Sequence, residues 1–296
     1  MKNETHKSKL FLILSMIIFG TIGIFRKYIP IPSGALAMFR GIIGAIFLLI
    51  IVFISHKKLN LKAIKENLIL LIISGALIGF NWILLFEAYN YTSVATATLC
   101  YYMAPVFVIF ASPIFLKENL TLKQLICSVF AILGMVLVSG IFEVGLNNIS
   151  EFWGVLLGLA AAALYASVII INKKLTNVNS FERTIIQLAA AGITIIPYTV
   201  LFEENSTTEL NINVVLLILF VGLIHTGIAY ALYFGSIKNV KAQTAAIYSY
   251  IDPIVATILS VVVLNEKMSL LAVTGAIIVL GATLISEIDF KKVRSK

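Results

Sequence analysis

Ten apolar stretches of about 20 residues recur along this chain, each the length at which a helix crosses the hydrocarbon core of a bilayer. They run over 9–29, 33–55, 66–89, 93–116, 121–142, 152–172, 181–202, 212–236, 242–264 and 269–288. Hydrophobic residues fill 60% of the 296 positions and charged residues 12%, where a soluble domain carries roughly a quarter charged. Lipid is therefore the expected solvent. The links between stretches are short, Asn90-Tyr91-Thr92 among them, and leave no room for an extramembrane domain. The basic segment Met1 to Lys9 runs into the first stretch without a small-residue cleavage site, so a retained first helix is expected.

The formal net charge of +8 would suit nucleic acid if the basic residues formed one patch. They fall instead in short clusters between apolar runs, the placement that sets membrane orientation. With the N-terminus in the cytoplasm, the inner segments hold eighteen of the 22 Lys and Arg, and the outer ones keep only Arg26, Lys27 and Lys267. Arg40 lies within a span. The outer loops are acidic, with Glu143, Glu151, Glu203, Glu204 and Glu209. An even number of spans keeps the basic C-terminal tail inside. A multi-pass protein of the plasma membrane with both termini cytoplasmic is expected.

The chain also repeats itself. Ala104-Pro105-Val106 through Leu116-Lys117-Glu118 aligns with Asp252-Pro253-Ile254 through Leu264-Asn265-Glu266, at an offset of 148 residues. Pro and Glu stand thirteen residues apart in both copies. Arg40 in the first copy faces Gln187 in the second. Five spans per copy is an odd number, so the second copy enters the membrane upside down. Inverted repeats of this kind underlie many secondary transporters. The expected fold is all-α and integral to the membrane, ten helices as two inverted five-helix repeats, 9–142 and 152–288.

Those residues carry a family resemblance. Asn81-Trp82, Phe86-Glu87-Ala88-Tyr89, Ala104-Pro105-Val106 and Leu116-Lys117-Glu118, echoed at Asp252-Pro253 and Leu264-Asn265-Glu266, resemble the EamA family of the drug/metabolite transporter superfamily. The resemblance covers about 10–140 and 152–287. It implies a ten-helix basket whose central cavity is lined chiefly by spans 1, 3, 4, 6, 8 and 9. It further implies movement of amino acids, other metabolites or drugs.

Ionisable side chains inside hydrocarbon are costly unless they face a cavity or a partner. Four qualify: Arg40, Glu87, His225 and Asp252. Asp252 directly precedes Pro253, which removes an N–H and breaks or kinks the helix. A carboxylate at such a break can bind a substrate ammonium group or take up a proton, and its repeat mate is Ala104. Histidine as a residue type titrates near neutrality and can shuttle protons, so a His225–Asp252 proton pair is one expectation, against a packing role for the histidine. Arg40 and Glu87 have similar depths, so a structural salt bridge is expected; the alternative seats a substrate carboxylate on the planar fork of Arg40. Asn81, Trp82, Tyr101, Tyr102, Gln243, Tyr248 and Tyr250 complete the expected substrate-binding set, with Tyr230 and Tyr233 as further cavity candidates. Glu118 and Glu266 are expected to fix span ends. Gly75-xxx-Gly79 and Gly154-xxx-Gly158 are expected to allow close helix packing. Cys100 and Cys127 read as buried small hydrophobes.

An enzyme is not expected. The chain lacks the His-Glu-x-x-His, Gly-x-Ser-x-Gly and phosphate-loop motifs, so neither those hydrolytic sites nor a nucleotide-driven pump fits. No metal or other cofactor is expected. A gradient-driven transporter of small metabolites is the principal expectation, with amino acids or their derivatives as cargo and export as the direction. The partners are then a small-molecule substrate, a proton for coupling and the lipid bilayer, with no nucleic acid. The alternative is a channel or facilitator for small solutes without ion coupling.

Overall fold

The computed structural model describes residues 2–56, 59–117, 120–138, 149–203, 211–237, 248–249 and 251–287. Among them every regular element is helical. Seven helices are long and apolar enough to cross a membrane: α1 (His6–Lys27), α2 (Ser33–Ile54), α3 (Leu68–Tyr91), α4 (Val94–Phe115), α6 (Ile149–Lys174), α7 (Ser180–Phe202) and α8 (Ile212–Tyr233). The helices α5 (Leu122–Val138) and α9 (Ile251–Val263) are apolar but shorter, as is the apolar run Leu270–Ala282 of α10 (Leu270–Glu287). The expectation of ten spans is therefore met at full length by seven. Each shorter helix adjoins residues outside the described set, 139–148 after α5, 250 before α9 and 288–296 after α10. The repeat boundaries at 142 and 288 lie among those residues too.

The surface is apolar where a soluble protein would be polar. Phe53 is 82% exposed, Leu270 88% and Phe202 74%. Water would not tolerate so continuous an apolar face, and hydrocarbon would.

Helix breaks fall where the sequence removes backbone donors or crowds the chain. α4 is interrupted between Tyr101 and Ala104, with Pro105 in the first turn of its second segment. Proline there needs no intrahelical partner and fixes the turn. α1 is interrupted at Thr21. α8 carries a π-helical stretch, Val221–Ile228, a form that inserts one extra residue per turn and often marks functional sites. The sequence repeat has a backbone echo: Lys117 and Asn265, 148 residues apart, both adopt left-handed φ, 58° and 54°. Each turns the chain beyond the helix that precedes it.

α3 packs along α6, as α8 packs along α1. α4 meets α6, as α9 meets α1; α3 meets α7, as α8 meets α2. α2 packs on α7, α4 on α9 and α5 on α10. Exchanging each helix for the one five places along maps these contacts onto themselves. Small residues permit the approach. A Cβ on Gly75 would stand 2.6 Å from the Ala190 Cβ, and one on Gly79 2.6 Å from Ile195. Gly154 and Gly158 are pressed equally against Thr92 and Cys100. Close helix approach with little side chain between is how membrane bundles gain packing energy.

Candidate functional site

Hydrogen bonds and an ion pair tie the helix ends together on one side of the bundle, where α1 ends and α2 begins. Arg26 donates to Ile29 O at 2.8 Å and to Ser33 Oγ at 3.0 Å. Lys27 pairs with Glu266 at 3.7 Å and donates to Tyr89 O. Glu266 also accepts from Val94 N at 2.8 Å and from the Ser260 hydroxyl. It thus fixes the α9–α10 link to the start of α4, as expected of a span-end glutamate; Glu118 lies outside the described residues. Glu203 accepts from Gly34 N at 2.6 Å and Ala35 N at 2.9 Å, placing a carboxylate on the positive end of α2. Burial there pushes the Glu203 carboxyl above its usual range, opposed by the two backbone N–H groups. By the placement of Lys and Arg, this end is expected to face outward.

Inside lies a cavity of about 700 Å³, within the range of small-molecule sites. It reaches from Tyr89 and Thr98, near the tied end, to Lys173 and Arg183, where α6 ends and α7 begins. All the spans that the family resemblance implies as lining do contribute, and α2 and α7 add to them.

Arg40, Asn81, Trp82, Tyr101, Tyr102 and Asp252 all line this cavity. Arg40 is 5% exposed. Its Nε donates to Thr226 Oγ1 at 3.0 Å, and its guanidinium lies 4.0 Å above the centre of the Trp82 ring and 5.5 Å from that of Phe86. Stacking on indole holds the guanidinium plane while leaving its edge free. The two terminal nitrogens donate to no protein group among the described residues. The expected Arg40–Glu87 salt bridge is not formed: Glu87 accepts instead from Asn90 at 3.1 Å, toward the end of α3. Similar depth does not make a contact, because Trp82 and Phe86, one turn apart on α3, occupy the face that Arg40 meets.

Asp252 stands in the first turn of α9. Its Oδ2 accepts from the Tyr102 hydroxyl at 2.7 Å, and Tyr102 also reaches Ser249 O at 3.3 Å. Tyr102 sits in the break of α4, so the two equivalent proline turns of the repeats meet at this bond. Gly20, at the break of α1, touches the same turn; a Cβ there would lie 2.7 Å from Asp252 O. Tyr101 lies 5.4 Å from Tyr165 between ring centres, and Phe19 lies 5.2 Å from Tyr230. Tyr230 and Tyr233 also line the cavity.

His225 is buried in the π-helical stretch and lies apart from the cavity wall. Its Nε2 is 2.8 Å from Thr21 Oγ1, whose hydroxyl also reaches Ile18 O at 2.8 Å. A hydroxyl has one proton to give. With that proton on Ile18, Nε2 is the donor, and Nδ1 is left without a partner among the described residues. The ring packs edge-on against Phe25 and Phe220. His225 and Asp252 are held by different partners, so the expected pair is not hydrogen-bonded. Tyr248 packs with Leu12 and Met16; Gln243 and Tyr250 lie outside the described residues.

Lys173, Arg183, Tyr165 and Gln187 line the cavity without having been singled out as site residues in the sequence. The two cations read there as topology signals. The missed signal was spacing: Arg183 lies one helical turn before Gln187, the repeat mate of Arg40.

A helical bundle with an apolar exterior and a buried, charged, solute-sized cavity has the build of a membrane transporter. Residues 6–140 and 152–287 each match the model of the EamA-like transporter family, and the chain belongs to that family. It is 27% identical to the uncharacterized transporter YxxF of Bacillus subtilis over 90% of this chain and 85% of the relative. It is 25% identical to an uncharacterized transporter of Clostridium kluyveri over 97% of this chain and 94% of the other. A solved crystal structure, 17% identical, superposes with a TM-score of 0.68 over 97% of this chain and 98% of its own, a likeness of fold.

Proposed function

We propose that this transporter is a secondary active carrier of small metabolites, amino acids or their derivatives foremost, working in the direction of export. The observation that carries the reading is the cavity itself, which sets Arg40 and Asp252, of opposite charge, in one chamber of about 700 Å³. A solute with a carboxylate and a second polar group fits between them. Transport rather than catalysis is the role, and a plasma-membrane protein with both termini cytoplasmic is the placement that the basic inner segments favour.

Alternating access is the mechanism we read from this arrangement. The exchange of helix contacts between halves, and the shared left-handed turns at Lys117 and Asn265, support two five-helix repeats, 9–142 and 152–288, inverted relative to each other. In such a carrier the halves swap conformations about a central site. Ties at the outer end, with the cavity reaching Lys173 and Arg183, correspond to a state closed outward. Asp252 and His225 are the groups to accept the coupling proton. Asp252 meets the cavity, and His225 links α8 to the break in α1.

Reconstituted proteoliposomes test this. An imposed pH gradient is expected to drive uptake of labelled leucine, glutamate or N-acetyl-leucine, and Asp252→Asn or His225→Gln to abolish the pH dependence. Unchanged coupling in both variants overturns the proton assignment. Flux through single-channel openings in a planar bilayer, without saturation, would favour a channel instead.

A further inference from the structure

The cavity wall carries more positive than negative charge. Arg40 and Arg183 both line it, and Asp252 is the one carboxylate among its described lining residues. That carboxylate already accepts the hydroxyl of Tyr102 at 2.7 Å. Neither arginine has a carboxylate partner among the described residues.

The arginines stand at successive levels of one tyrosine-walled passage. Arg40 lies within α2 against Trp82 and Arg183 in the first turn of α7, and Tyr101, Tyr165, Tyr230 and Tyr233 line the same cavity. Tyr230 and Tyr233 are three residues apart on α8, about 4.5 Å of helical rise. The free edge of Arg40 is suited to two parallel bonds with a carboxylate. A cation in an apolar wall calls for a compensating anion, and neither arginine is paired with one among the described residues.

We infer that the transported solute is a small organic anion, an amino-acid derivative with a blocked amine or a dicarboxylic amino acid, whose carboxylate seats on Arg40 while the rest extends among the tyrosines toward Arg183. This rests on the transporter reading and names its cargo class. A neutral zwitterion leaves the surplus positive charge unbalanced. A cationic amine is repelled by it.

Trp82 is a built-in reporter. The chain has two tryptophans, and Trp153, 53% exposed on α6, can be replaced by Phe, leaving Trp82 beneath Arg40 as the sole indole. Purified Trp153→Phe protein is titrated with three matched compounds, N-acetyl-L-leucine (anion), L-leucine (zwitterion) and L-leucinamide (cation), and with L-glutamate. The anions are expected to change Trp82 emission at concentrations at least tenfold below those needed for leucine, with leucinamide weakest. Arg40→Gln should erase that preference, and Arg40→Lys should restore only part of it, keeping the charge but not the fork. Arg183→Gln, farther along the passage, should reduce the preference for glutamate most and serves if Arg40→Gln fails to fold. Equal or tighter binding of leucine or leucinamide overturns the inference, as does an anion preference that survives both arginine changes, or no response to any anion. Counterflow in proteoliposomes separates the two readings. Leucine exchange without anion preference leaves the transporter standing and removes the anion; anion binding without exchange does the reverse.

Discussion

Glu203 shows how single residues set the tied end of the bundle. Its carboxylate accepts two N–H groups at the start of α2, yet desolvation holds its proton more tightly than in the unfolded chain. The sign follows from linkage. The folded state binds more protons than the unfolded one between the ordinary glutamate value, about 4.3, and the raised folded one. Stability from this group is thus complete at low pH and is lost as pH rises through that interval. The thermal midpoint of the wild-type protein, relative to Glu203→Gln, is expected to fall across that window; a rising difference would contradict the assignment. At the same scale, Arg40 and Asp252 were legible in the sequence because charge inside an apolar run is conspicuous. Which groups they meet was not legible. The rotation of α2 and α3 about their axes decides that Arg40 finds Trp82 rather than Glu87, and apolar composition on every side leaves no periodic signal of that rotation. Arg183 was hidden for a different reason: basic residues at inner span ends are accounted for by membrane orientation alone.

Among the elements, the ends of α4 and the approach of α3 to α7 make specific demands. Lys117 holds a left-handed φ of 58° that Asn265 holds in the other half. Asparagine tolerates this region better than lysine, which pays part of a penalty of about 1 kcal/mol. Lys117→Asn is expected to raise the melting temperature in detergent, with transport unchanged; a lower midpoint would show that the lysine side chain carries a compensating contact. Gly79 gives the opposite case. With Ile195 and the Ala191 carbonyl within 3.0 Å of any added Cβ, Gly79→Leu must push α3 from α7. A loss of roughly 1–3 kcal/mol is expected, seen as a lowered midpoint, whereas Leu at exposed Ile69 of the same helix should be neutral. Span positions were readable from apolar length, but the breaks were only partly so. Pro105 marked the interruption of α4. The π-helical stretch of α8 has no proline to announce it, though Gly222 and Gly227 within it lie close against Ile43 and Phe47 of α2.

At the scale of the molecule, the repeat noticed in thirteen-residue Pro-to-Glu spacings becomes a physical arrangement in which helix contacts exchange between halves. The cavity lies where those halves meet, and its charges come from both: Arg40 from one, Asp252 and Arg183 from the other. The tied end joins the halves again, through Lys27 with Glu266 and Glu203 with the start of α2. Loosening it with Glu266→Gln should speed the opening of that end and weaken coupling, since Lys27 and Val94 N would lose a charged acceptor. The central claim is that one site serves both faces in turn. Trans-stimulation in proteoliposomes tests it most directly: vesicles loaded with unlabelled N-acetyl-L-leucine or L-glutamate, with the labelled compound outside. The expected result is labelled entry that saturates and runs several-fold faster than into empty vesicles. Entry that neither saturates nor responds to the internal solute would contradict it.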